Sequence, residues 1–130
     1  MSLNDVVANA LSKINIYEQR NKRECILYPI SKLLVRVLEI MKDNNYIGDF
    51  EIIKTNRGDY IKVHLLGHIN KCNAIKPRFP VSKDEYNEVE KRYLPSKGFG
   101  IIIVSTPKGV MTHKEALKNN LGGRLIAYCY

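Results

Sequence analysis

Residues 50–66 read Phe-Glu-Ile-Ile-Lys-Thr-Asn-Arg-Gly-Asp-Tyr-Ile-Lys-Val-His-Leu-Leu. Two runs of β-formers, Phe50 to Lys54 and Tyr60 to Leu66, flank Asn56-Arg57-Gly58-Asp59. Asn and Gly tolerate positive φ, so this spacing predicts a hairpin. In the second run Ile61, Val63 and Leu65 alternate with Tyr60, Lys62 and His64. That period of two gives a strand with one apolar face. An apolar sheet face needs a cover, and the residues upstream supply one. Leu3, Val6, Val7, Ala10, Leu11 and Ile14 share one helical face, with Ser2 as the expected N-cap and Asp5 three residues on. Ile30, Leu33, Leu34, Val37, Leu38 and Met41 repeat the rhythm after a short strand, Cys25 to Tyr28. Pro29 suits the first turn of that second helix, and Asp43-Asn44-Asn45 should stop it before Gly48. Residues 1–68 therefore read α-β-α-β-β, a small two-layer sandwich.

Downstream the pattern changes. Lys71 to Val81 carries Pro77 and Pro80, which argues for an edge strand or an irregular strap. Ser82 with Glu85 makes a capping box for a short charged helix, Lys83 to Tyr93, with Tyr86, Val89 and Tyr93 on one face. Ile101 to Val104 is an unbroken apolar run of central-strand length, and Thr106-Pro107-Lys108-Gly109 is a turn. Thr112 and Glu115 open another short helix, Gly122-Gly123 should end it, and Leu125 to Tyr130 forms a last strand. Residues 69–130 thus read as a mostly β domain with short helices. The whole chain is α+β, built as two small α/β domains, 1–68 and 69–130.

The 130 residues carry 21 Lys+Arg against 13 Asp+Glu, a net charge of +8. Residues 1–68 hold 10 basic and 8 acidic residues, a net of +2; residues 69–130 hold 11 and 5, a net of +6. No acid falls between Asp59 and Asp84, where Lys62, Lys71, Lys76, Arg78 and Lys83 gather. Unneutralised positive stretches suit phosphate, because each neutralised phosphate releases counterions. They are also what a solvated Lys-rich surface looks like. The apolar run Ile101 to Val104 is far short of a membrane span, as is Leu125 to Tyr130, and no charged n-region precedes an apolar stretch at the N-terminus. Three widely spaced cysteines, Cys25, Cys72 and Cys129, make neither a disulfide framework nor a metal knuckle. The expectation is a soluble, cytoplasmic protein with no membrane partner and no cofactor.

Candidate chemistry is sparse. His64, His68 and Cys72 are four apart, but the first sits in a strand pattern and Gly67 interrupts, so no metal site is expected. A nucleophile pair could combine His113 with Cys25 or Cys72, yet nothing beside either thiol would depress its pKa. No catalytic residue is expected. The informative stretch is Ser105-Thr106-Pro107-Lys108-Gly109. Small hydroxyls at a strand end, then Lys and Gly in a turn, make a low polar surface that a nucleic-acid backbone can approach. Gly122-Gly123-Arg124 offers a second such place. These glycines equally serve turn geometry. On the first helix, Asn9, Lys13 and Arg20 form a polar face that suits RNA or plain water.

STPKGVMTHKEA (Ser105 to Ala116), Gly122-Gly123 and the ending Tyr128-Cys129-Tyr130 resemble the family of the eighth protein of the small ribosomal subunit. DVVANALSKINI (Asp5 to Ile16) and PISKLLVRVLEIMKDNNYIGDFE (Pro29 to Glu51) are similar to it too, so the resemblance covers essentially the whole chain. INKCNAIKPRFPV and EKRYLP look like its archaeal and eukaryotic branch. The resemblance implies a primary ribosomal-RNA-binding protein without catalysis. It implies binding to the central domain of small-subunit RNA early in assembly, beside neighbouring small-subunit proteins, through Ser105, Thr106, Lys108, Gly109, Gly122 and Gly123. Pro107 stands where bacterial members carry a serine, and it has neither that hydroxyl nor a backbone donor. Arg124, Lys71, Lys76, Arg78, Asn9 and Lys13 are the supporting basic and polar candidates. Some family members also bind their own message, which is the alternative partner.

Overall fold

The computed structural model describes residues 5–130, and the chain divides into two compact units, one running to Asn73 and the other Ala74–Tyr130. The sequence division at 68/69 lies a few residues earlier, before the strand that straddles the junction.

In the first unit α1 (Val6–Gln19) buries Val7, Ala10, Leu11 and Ile14 on one stripe. Its N-cap is Asp5, whose carboxylate accepts the Ala8 N–H at 3.0 Å. This corrects the expected role of Asp5 as the third helical residue; Ser2 itself lies outside the described residues. Strand β1 (Glu24–Leu27) leads to α2 (Lys32–Asp43), which buries Leu34, Val37, Leu38, Ile40 and Met41. Pro29 does not begin α2. Ser31 caps it by accepting the Leu34 N–H at 3.1 Å, a bond that satisfies an orphan donor which proline geometry cannot reach. Asn44 and Asn45 close α2, and Asn45 takes φ +65°.

Strands β2 (Ile47–Thr55) and β3 (Gly58–Leu65) form the hairpin, and the sheet order is β1-β3-β2, all antiparallel. Ile61, Val63 and Leu65 are buried while their neighbours are half-exposed, as the alternation predicts. The loop is Asn56-Arg57 alone, because Thr55 pairs with Gly58. The positive φ falls on Gly58, at +124°, rather than on the asparagine. The Thr55 hydroxyl donates to the Gly58 carbonyl at 2.5 Å and accepts the Arg57 N–H at 3.3 Å. Helices α1 and α2 pack on each other and on β1 and β2, giving the expected two layers.

In the second unit the sheet runs β4 (Cys72–Ala74), β8 (Gly123–Cys129), β6 (Ile101–Thr106), β7 (Gly109–Thr112), with β5 (Pro80–Val81) also on β8. All four residues Ile101 to Val104 are buried, as expected of a central strand. One 3₁₀ turn, Lys83–Glu85, precedes α3 (Tyr86–Tyr93), and the Glu85 carboxylate accepts the Ser82 N–H at 2.8 Å. That bond holds the Glu85 carboxyl below its usual range. The core gathers Ile75, Val81, Tyr86, Val89, Leu94, Ile102, Val104, Ala116 and Leu125. The phenol of buried Tyr86 donates to the Leu121 carbonyl at 2.9 Å.

Helix α4 (His113–Lys118) starts at Thr112, whose hydroxyl accepts the Glu115 N–H. Gly122-Gly123 does not end it. Asn119 is the C-cap and Asn120 takes φ +57°, the left-handed conformation that a short amide side chain tolerates. The two glycines have a different cause. A Cβ on Gly122 would sit 2.7 Å from the Val81 carbonyl oxygen, and one on Gly123 would sit 2.4 Å from that of Ser105. Only glycine lets β8 approach its neighbours so closely.

Candidate nucleic-acid interface

Strand β6 ends in the tip Thr106-Pro107-Lys108-Gly109, and Thr106 pairs with Gly109. Proline presets the first central position of such a turn. The Thr106 hydroxyl donates to the Gly109 carbonyl at 2.7 Å and accepts the Lys108 N–H at 3.2 Å. Thr106 is buried, and its one hydroxyl proton is committed within the turn. It therefore shapes the tip rather than offering a donor to a ligand. Pro107, Lys108 and Gly109 are exposed. Gly109 takes φ +124°, and a Cβ there would have nothing within 4 Å, so its surface is open.

Ser105 faces the other side of β6, half-buried, and its hydroxyl takes no part in the turn's bonds. Its cross-strand partner on β8 is Arg124, and Arg124 in turn pairs with Pro80. The Arg124 guanidinium donates to the Arg78 carbonyl at 3.1 Å, which fixes its direction. Ser105, Lys108, Arg124 and the Arg78 strap thus meet at one end of one sheet. Lys76, exposed, lies two residues before Arg78 on the same strap. Gly122 and Gly123 bring β8 against β5 and β6 there, a positioning role that spacing left open. The register pairing of Ser105 with Arg124 was invisible in the sequence, where they lie 19 residues apart; only a bulge between Ile103 and Val104 sets it.

The remaining candidates belong to the first unit. Lys71 is exposed just before β4. Asn9 is exposed on α1, and Lys13, one turn on, donates its ammonium to the Ile26 carbonyl at 2.5 Å and lies 5.6 Å from the Tyr17 ring centroid.

The groups weighed for catalysis or metal are otherwise engaged. Burial pushes the Cys25 thiol up to about 11 and the Cys72 thiol up to about 12, so neither forms a thiolate near neutrality. His64 lies 3.6 Å from Glu24, and His68 Nδ1 is 2.7 Å from the Asn45 carbonyl. Among the described residues no group of three or more His, Cys, Asp or Glu is placed to hold a metal. His113 is fully buried. Its Nδ1 accepts the Ile102 N–H at 3.2 Å, so the proton is on Nε2, which donates to Glu90 Oε1 at 2.6 Å. Burial, outweighing the Glu90 carboxylate, pulls its pKa below the ordinary histidine value.

The family model described as Ribosomal protein S8 matches residues 5–130, nearly the whole chain. The chain belongs to that family. It is a structural protein of the small ribosomal subunit that binds ribosomal RNA, and the family is not one of enzymes. No helix among the described residues is long and apolar enough to cross a membrane.

Proposed function

With membership of the S8 family as the premise, we propose that this chain binds the central domain of small-subunit ribosomal RNA and helps it assemble, in the cytoplasm and beside neighbouring small-subunit proteins. The second unit supplies the main contacts. The observation that carries this is the meeting of Ser105, Lys108 and Arg124 at one sheet end, in the half of the chain with a net charge of +6. A free hydroxyl beside a fixed guanidinium and an open Gly-Lys tip can follow a ribose-phosphate edge. That matches how structured RNA is read, along the shallow minor groove with its 2′-hydroxyls. Lys71, Lys76, Asn9 and Lys13 add the longer-range or peripheral contacts.

Filter binding of the purified chain to the central-domain RNA, to random RNA and to its own message tests the assignment. Ser105→Ala should weaken central-domain binding about fivefold, the loss of roughly one hydrogen bond of about 1 kcal/mol, and leave random RNA unchanged. Equal loss on both RNAs would remove Ser105 from specific readout. Tighter binding to the message than to ribosomal RNA would move the function off the ribosome.

A further inference from the structure

Tyr28, the residue after β1, is 64% exposed, yet the outer end of its ring rests on the β2–β3 tip. Its phenol donates to the Arg57 carbonyl at 3.4 Å. Its ring edge lies where Gly58 has no side chain; a Cβ there would come within 3.1 Å of the ring. The β2–β3 tip therefore braces the tyrosine against one orientation. Beside it runs a cleft of about 140 Å³ between Asn9 and Lys13 of α1 and Leu27, Tyr28 and Pro29. Lys13 is fixed at that cleft through the Ile26 carbonyl.

We infer that Tyr28 is a stacking platform for an unpaired nucleotide of the bound RNA, with the adjoining phosphates met by Lys13 and Arg57. The inference rests on the ribosomal-RNA reading and extends it to the first unit. Three features favour a nucleotide over a protein segment. The site pairs an exposed aromatic ring with the fixed Lys13 ammonium and with Arg57 on the adjoining tip, which is the chemistry of single-strand recognition. The cleft is large enough for a planar ring and too small for a helix. The tip Thr55-Asn56-Arg57-Gly58 also has the same internal bonds as Thr106-Pro107-Lys108-Gly109, with a base in third place and glycine at φ +124° in both.

The chain has no tryptophan, so Tyr28→Trp makes a single reporter. Titration of the full chain with small-subunit ribosomal RNA should quench its emission. Tyr28→Ala should weaken binding about tenfold, and Tyr28→Phe less than threefold, since the stacking face survives. Unquenched emission, or unchanged affinity in Tyr28→Ala with an unchanged melting curve, would overturn the inference. Quenching by a purified small-subunit protein and not by RNA would overturn it as well. A Ser105→Ala, Lys108→Gln variant run alongside separates the two ideas. If that variant loses affinity and Tyr28→Ala does not, the ribosomal-RNA reading stands and only the platform fails. If the unaltered chain binds no RNA, both fall.

Discussion

The imidazole of His113 stands in for a strand residue. Strand β7 ends at Thr112, so the Ile102 N–H on β6 has no ladder carbonyl there, and His113 Nδ1 accepts it instead. The opposite nitrogen ties α4 to Glu90 on α3. A buried neutral histidine of this kind sets a pH dependence with a definite sign. Its folded pKa is below the unfolded value near 6.5, so on acidification the unfolded chain takes up a proton first. Stability should therefore fall as pH drops below about 6.5, until the folded-state pKa is reached. His113→Ala should cost about 2–4 kcal/mol at pH 7.5, because it leaves a buried amide unpaired and opens a cavity. It should also flatten the fall in melting temperature between pH 7 and 5, read by circular dichroism. A variant as stable as the parent would show that the bridge contributes nothing. None of this was legible beforehand. In the sequence His113 suggests only a partner for Cys25 or Cys72, and its burial comes from α4 folding back on β6, 11 residues upstream of it.

At the scale of elements, periodicity served well and chain breaks served poorly. The stripes of α1 and α2, the alternation along β3 and the apolar run of β6 each follow from burial of one face or two, which the sequence writes directly. Starts and stops depend on which polar side chain wins an orphan backbone group. Asp5, Ser31 and Asn120 won over Ser2's expected box, Pro29 and Gly122. Spacing lets Gly122-Gly123 stand as a helix stop or as a place of close approach, and only contact with Val81 and Ser105, both distant in sequence, decides for the second. The Thr brace shared by the two hairpin tips emerges only from the paired geometry. That brace gives a prediction. Thr55→Val and Thr106→Val should each destabilise by about 1 kcal/mol, since each removes the hydroxyl that ties its tip. Urea denaturation would measure both. Both should also weaken central-domain RNA binding, Thr106→Val about threefold or more by loosening Lys108 and Gly109, and Thr55→Val by a smaller factor by loosening Arg57 and the tip against Tyr28. Equal RNA losses in the two variants would mean that the tips contribute alike.

For the molecule as a whole, the charge count was legible and its placement was not. The excess of +6 after residue 68 could have served solubility alone. What distinguishes a contact from a field is position: Lys108 and Arg124 lie at the end of β6, whereas Lys114 donates to the Gly98 carbonyl at 3.2 Å, before that strand begins, and exposed Lys97 adjoins it there. Two double variants of identical net charge separate the cases. In Lys108→Gln with Arg124→Gln, two phosphate contacts disappear, and the plot of log affinity against log salt should flatten by about 1.4–1.8. In Lys97→Gln with Lys114→Gln the slope should change by less than about 0.3, because the length of β6, about 20 Å, separates that end from the tip and screening at moderate salt confines charges to about 10 Å. Binding isotherms between 50 and 300 mM salt on the same central-domain RNA would read both slopes. Equal flattening would mean that the chain holds RNA by its overall field and that the sheet end has no special place in it. Unequal flattening ties the basic half of the sequence to the one edge where β6, β8 and their glycines come together.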